Sequence, residues 1–267
     1  MKPACLLLAA AAVALMNAAP ARAAESYDNC TGFVDSVPAT IATQGTWCLR
    51  KDLSAAMSSG AAITIAANNT TLDCNDFKLG GLAGGEATTA TGIYANERVN
   101  LTVRHCNVRG FAIGIRLYDQ LISYGGHVVE DNRLEGNTER GIYVGGDASV
   151  VRRNLVRDTG GSPNNPFYVA GIYLAGDIDA IDNAVDGVFR ATGDDGVVDG
   201  IRTFSDDGGR IVGNGIRGLL AGAGHEVSGI YIDGAHARLR DNDVLGPAGH
   251  SPDAPLRVPT FLFFASR

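Results

Sequence analysis

The stretch AGIYLAGDIDAIDNAV, residues 170–185, carries two marks that recur along the chain. Its Gly-Ile-Tyr phrase stands at 92–94, 141–143, 171–173 and 229–231, and Gly-Ile-Arg takes the same place at 114–116 and 200–202. Successive glycines of these phrases are 22, 27, 30, 29 and 29 residues apart. The second mark is an asparagine in phase with the first: Asn132, Asn154, Asn183, Asn214 and Asn242, with Cys106 in that place in the earliest repeat. Two residues after each marker comes an aliphatic: Val108, Leu134, Val156, Val185, Ile216 and Val244. Three residues before each lie Val103, Val129, Val151, Ala180, Ile211 and Leu239.

Each unit therefore reads as short strand, turn, short strand, asparagine turn, short strand, loop. The apolar runs are three to five residues long, rich in β-branched side chains and broken by Gly, Asp and Asn, which is strand chemistry. A helical repeat needs apolar residues three and four apart over ten or more positions, and no unit offers that. A three-strand unit cannot bury its inner face alone, but units stacked at about 4.8 Å per layer can. Stacked amides can also hydrogen-bond one another in a ladder, and Asn tolerates the left-handed backbone of a tight bend. The spacing predicts an all-β parallel solenoid of about six to eight coils.

Outside the repeats, residues 1–23 read as a signal peptide: Lys2, an uncharged run from Leu6 to Leu15, and the small-x-small site Ala21-Arg22-Ala23. That run is too short to span a bilayer, and no later segment is a better candidate. Residues 24–59 are expected to form a first coil and cap, with Trp47 packed inside it, and 60–246 the regular solenoid. Residues 247–267, with four prolines and the Phe261–Phe264 cluster, break the pattern as an apolar cap or as the sign of a shortened solenoid.

Without the first 23 residues the chain carries 20 basic and 29 acidic side chains, a net charge of −9. Nucleic acid needs a basic footprint, so it is excluded as a partner. Cys30, Cys48, Cys74 and Cys106 form an even set in an exported chain. They allow three connectivities, of which Cys30–Cys48 with Cys74–Cys106 is the simplest. No C-x-x-C spacing or histidine cluster points to zinc.

Three strands per coil, an asparagine ladder between the second and third, and longer loops after the third resemble the right-handed parallel β-helix of the pectate lyase superfamily. The segments ITIAANNTTLDCNDFKLGG (63–81) and TGIYANERVNLTVRHCNVRGF (91–111) carry the likeness, which covers roughly residues 60–246. Secreted and periplasmic proteins share this fold, among them carbohydrate-active enzymes and proteins that assist nitrous-oxide reductase maturation. The motif residues are structural, so the resemblance implies a fold and leaves function to the site. It also implies that the first sheet and its flanking loops form a groove for polysaccharide.

If the isoleucine of each phrase points inward, the next residue points out. That outward column reads Tyr94, Arg116, Tyr143, Tyr173, Arg202 and Tyr231. An acidic residue follows at each first turn: Glu97, Asp119, Asp147, Asp177, Asp206 with Asp207, and Asp233. The loops after the third strand add Arg190, Asp194 and Asp195, His225 with Glu226, and Phe167 with Tyr168. Aromatic faces stack on sugar rings, carboxylates accept hydroxyl hydrogen bonds, and Arg pairs with uronate carboxylates. The same residues also suit a purely structural stack of aromatics and cations.

A lyase or epimerase would use Arg116 or Arg202 as charge neutraliser or base, with Asp177, Asp206 and Asp207 as calcium ligands; calcium is the one ion the acidic turns invite. A glycosidase would need two carboxyl groups across the scissile bond. The GDDG at 193–196 resembles a polygalacturonase pair but sits in a loop without its partners, and no Asp-Pro-His-Glu epimerase signature is present. His105, His127 and His236 read as surface or turn residues, and GLAGG at 81–85 lacks the Lys-Ser/Thr of a phosphate loop. The catalytic candidates are Arg202, Asp206 and Asp177. The readings left standing are an exported β-helix that binds, and cleaves or epimerises, a polysaccharide (an acidic one included), and a non-catalytic scaffold, adhesin or glycan-binding module.

Overall fold

The computed structural model describes Tyr27 and residues 29–118, 125–164, 166–190, 196–204, 209–221, 226–234 and 237–245. Among them there is no α-helix, only the 3-10 turn Leu82–Gly84 and short strands gathered into three wholly parallel sheets. The first sheet takes eight strands, from Ala39–Ile41 to Glu226–Asp233; the second takes nine, from Gly32–Phe33 to Arg238–Arg240; the third takes eight, from Leu53–Ser54 to Asp243–Val244. The chain visits the sheets in rotation and pairs each strand only with its counterparts one coil above and below. Residues 1–23, read above as a signal peptide, and residues 247–267 lie outside the described residues.

Register follows the repeat. Ile63, Ile93, Ile115, Ile142, Ile172, Ile201 and Ile230 are direct neighbours down the first sheet. Val103, Val129, Val151, Ala180, Ile211 and Leu239 align in the second. Val108, Leu134, Val156, Val185, Ile216 and Val244 align in the third. A slip of one residue would turn every one of these side chains outward, so the three columns fix the register together. They form one core, with exposures of 0–1% from Ile93 to Ile216, and burial of each such side chain stabilises by about 1.5–3 kcal/mol. Cover is lost at the last described coil, where Leu239 is 43% exposed.

The glycine of the phrase answers to this core. A Cβ at Gly171 would lie 2.5 Å from Val185 Cγ1 and 2.8 Å from the Gly200 carbonyl, and one at Gly141 2.4 Å from Val156 Cγ1. The two sequence marks of one coil thus touch across the core, and only hydrogen fits between them.

At the turn between the second and third strands, the side chains of the middle asparagines are saturated. Asn154 Oδ1 accepts the Asn132 backbone N–H at 3.1 Å and Asn132 Nδ2–H at 3.0 Å. Its Nδ2 donates to the Val129 carbonyl at 2.9 Å and to Asn183 Oδ1 at 3.0 Å. The pattern repeats through Asn183 and Asn214 to Asn242. The left-handed residue is not the asparagine. It is the residue before it, as at His105 (φ 51°), Asp131 (φ 54°), Arg153 (φ 53°), Asp182 (φ 53°) and Asp241 (φ 55°), which leaves the amide free to point along the stack.

Both disulfides of the simplest pairing are present, Cys30–Cys48 and Cys74–Cys106. The second closes a separation of 32 residues and stabilises by roughly 3–4 kcal/mol on the chain-entropy account. Cys106 stands in the asparagine column, its N–H bonded to Asn132 Oδ1 at 3.0 Å. Trp47 lies against Gly32 and donates from Nε1 to the Thr43 carbonyl at 3.1 Å. His127 departs from its expected place: it is 2% exposed, and its Nδ1 accepts the Leu101 N–H.

Truncation of a middle amide strands several buried groups at once. Asn183→Ala leaves the Asn154 N–H without its acceptor and takes a donor from the Val151 carbonyl, an expected loss of about 2–3 kcal/mol in urea unfolding. Asn242→Ala, at the half-buried end of the ladder, should cost about 1 kcal/mol.

Candidate functional site

On the outer face of the first sheet the expected column is in direct register: Tyr94, Arg116, Tyr143, Tyr173, Arg202 and Tyr231, continued by Thr64. Six layers at about 4.8 Å span roughly 24 Å. The column is not alone. Tyr118, two residues after Arg116, follows the alternation to the face. Arg140 and Asp199, three residues before Tyr143 and Arg202, do not follow it and yet reach the column, Arg140 over the Tyr143 and Tyr173 rings and Asp199 onto Arg202. Sequence reading stopped at the residue after isoleucine and passed over these three; the period-two pattern could have found Tyr118, but it places Arg140 and Asp199 on the other side of the strand. Tyr168, read as a loop residue, opens the strand Tyr168–Ala175, and Glu226 opens Glu226–Asp233. Arg190 is turned away from the groove, donating to the Pro166 and Phe167 carbonyls that precede the first of these strands.

Rings and guanidinium groups interleave without a break. Arg116 lies 5.8 Å from the Tyr94 ring centre, 4.7 Å from Tyr118 and 5.5 Å from Tyr143. Arg140 lies 5.6 Å from Tyr143 and 5.1 Å from Tyr173. Tyr143 meets Tyr173 edge-on at 4.8 Å, and Tyr173 meets Tyr168 at 6.4 Å. Arg202 is clamped between Tyr168 at 4.1 Å and Tyr231 at 3.9 Å. Contacts of this kind are each worth about 0.5–2 kcal/mol, according to how dry they are.

The two ends of the face differ. At the C-terminal end Arg202 is 5% exposed and donates from Nη1 to Asp199 Oδ2 at 3.0 Å. Burial works against the Arg202 charge, but Asp199 outweighs it and holds the guanidinium above its ordinary pKa. Asp199 is fully buried; desolvation overrides the pull of Arg202 and pushes its carboxyl up to about 6. Its Oδ1 and the hydroxyl of the facing Ser228 make no well-formed hydrogen bond.

Toward the N-terminal end Tyr94, Arg116, Tyr118, Tyr143, Arg140 and Tyr173 are all half-buried. Burial lowers the pKa of Arg140 and raises that of Tyr143, the latter helped by Tyr173 and Tyr118. Glu139, beside them, is pushed up by burial against the pull of Arg140 and Arg116.

Asp177 is exposed at the first turn, where its N–H donates to Asp147 Oδ1 at 2.8 Å. Asp119, Asp194, Asp195, Asp206, Asp207, His225 and His236 lie outside the described residues. Among the described residues no three carboxylates, histidines or cysteines gather closely enough to hold a metal ion. No described helix is long and apolar enough to cross a membrane.

The sequence matches the family model of the right handed beta helix region over residues 40–187, more than half of the chain. The protein belongs to the right-handed β-helix family. A solved structure similar to this β-helix is the Dettilon tailspike protein (gp208), with 14% sequence identity and a TM-score of 0.42. The match covers 82% of this chain and 55% of the tailspike chain, so the β-helix spans little more than half of that protein's length. No curated protein gives a significant match.

The buried Asp199 sets a pH dependence with a definite sign. Its folded pKa of about 6 lies above its ordinary 3.8, so the folded β-helix holds an extra proton between those values. The group's contribution to stability is full below about pH 4 and lost as pH rises through 6. Urea midpoints at pH 4 and pH 7 should show a smaller fall for Asp199→Asn than for the parent protein.

Proposed function

We infer that this β-helix binds a polysaccharide chain lengthwise on the outer face of its first sheet. The observation that carries the reading is the unbroken run of tyrosine rings and guanidinium groups over six coils, half-exposed over its N-terminal part. A linear sugar chain presents C–H faces to rings and hydroxyls to cations at a repeat a stacked sheet can follow. Tyr94, Arg116, Tyr143 and Tyr173 form the contact surface in this reading, with Arg202 and Tyr231 closing its far end. The two disulfides favour an oxidising compartment outside the cytosol as its place of work.

A second reading adds turnover, with Arg202, Asp177 and Asp206 as the catalytic set. In its favour stands the raised carboxyl of Asp199 against Arg202, the kind of perturbed pair found in active sites. Against it stands the burial of Arg202, which is stacked on both faces and tied to Asp199, so that it positions its neighbours more readily than it meets a sugar. Binding is the function the geometry supports best.

Calorimetry against neutral and acidic oligosaccharides tests this. Tyr143→Ala and Tyr173→Ala are each expected to weaken binding by about 5- to 50-fold, the usual loss for a stacking ring, with the fold intact by circular dichroism. Unchanged affinity in both variants would remove the face from consideration. Release of unsaturated uronate or reducing ends by the parent protein, abolished by Arg202→Ala, would promote the turnover reading.

A further inference from the structure

Several arginines elsewhere on this β-helix have anions of their own. Arg104, Arg152, Arg153, Arg202, Arg210 and Arg217 each reach a carboxylate oxygen at 2.6–3.0 Å. Arg109, Arg116 and Arg140 each have a buried Nε without an acceptor, and of these only Arg116 and Arg140 come together on the outer face of the first sheet. Both flank the one Tyr143 ring, at 5.5 and 5.6 Å, and neither has a carboxylate within 4.0 Å or any hydrogen bond among the described residues. The Nε of each is buried with no acceptor, while the Nη groups stay open at the surface. Two half-buried cations beside each other repel, and burial already disfavours the charge on Arg140. On a chain with a net charge of −7, such a pair of guanidinium groups without an anion is conspicuous.

We propose that Arg116 and Arg140 form a subsite for the anionic group of an acidic sugar, a carboxylate or a sulfate, held against the Tyr143 ring. The proposal rests on the reading of this face as a polysaccharide surface and names the class of chain it selects. A planar guanidinium fork presents paired N–H donors that match two oxygens of such a group. Tyr94 and Tyr118 on one side and Tyr173 on the other leave the sugar rings aromatic surface on both sides of the anion. Glu139 is the opposing charge: it lowers the net potential at the pair without making an ion pair with it. The subsite therefore selects by net charge and geometry together. It accepts anionic chains, and it gives neutral ones only the rings.

The test is calorimetric titration of the full chain with an oligogalacturonate, a sulfated oligosaccharide and a neutral oligosaccharide of equal length, at low and at moderate salt. Variants are Arg116→Gln, Arg140→Gln and Glu139→Gln, each checked for fold by circular dichroism. An acidic oligosaccharide should bind at least about 10-fold tighter than the neutral one, with the difference shrinking as salt rises. Arg140→Gln and Arg116→Gln should each remove about 10-fold from the acidic ligand and leave the neutral one within about 2-fold. Glu139→Gln should tighten acidic binding. It disturbs no ring contact, so it carries the test if an arginine variant does not fold. Which acidic ligand gains more separates carboxylate from sulfate. Equal binding of acidic and neutral chains, with the arginine variants weakening both alike, overturns the anion subsite and leaves the sugar-binding face standing. Failure of every oligosaccharide to bind overturns the face itself, and the subsite with it.

Discussion

An asparagine amide has two donors and room for two acceptor contacts, and here all four are used to join one coil to its neighbours. That is possible only when the next coil lies one strand spacing away and in register. The ladder therefore imposes on every coil the condition that the three sheets also need. Insertions can enter a coil only where they leave this turn untouched, which places the longer connections after the third strand. The half-buried outer face inherits its regularity from the same constraint. Rings and guanidinium groups recur at a fixed rise because the amides beneath the opposite corner hold that rise.

The face is divided by what the stack does with charge. Where Asp199 joins Arg202, a buried ion pair and two rings make a closed block that resembles core more than surface. Where Arg116 and Arg140 face rings alone, the cations are held in place by packing and not neutralised. One architecture thus yields both an end with its charge neutralised and an end without. The difference lies in a single position per coil, Asp199 in one layer and Arg140 two layers earlier.

The columns of isoleucine, valine and asparagine were legible in the sequence because the repeat exposes them directly, and so were the register and the outward Tyr/Arg column. The left-handed residue at the ladder turn was assigned to asparagine on propensity. The structure gives it to residues as unlike as Asp182, Arg153 and His105, because the amide's bonding outweighs the local preference of the residue before it. His127 read as surface because polarity was taken as exposure; its ring is buried as a backbone acceptor. Arg140, Asp199 and Tyr118 were hidden for a different reason. Their columns vary from coil to coil, Thr91, Ile113, Arg140, Ala170, Asp199 and Ser228 in one of them, so no repetition announces them. Repetition reveals what every coil needs and is silent on what only one coil has.

The cystine at Cys74–Cys106 sits where the amide column would otherwise continue. On one side of it adjacent coils are tied by a covalent bond; on the other they are held without one, out to a final described coil whose Leu239 is already 43% exposed. The β-helix is consequently polar in how its coils are joined. The coils of Cys74 and Cys106 cannot separate without breaking a covalent bond, whereas those from Asn132 to Asn242 are held by the amide ladder, the sheets and the core. The covalently tied coils include that of Tyr94, so the Tyr94–Tyr143 half of the face lies nearer the cystine than the Arg202 block does.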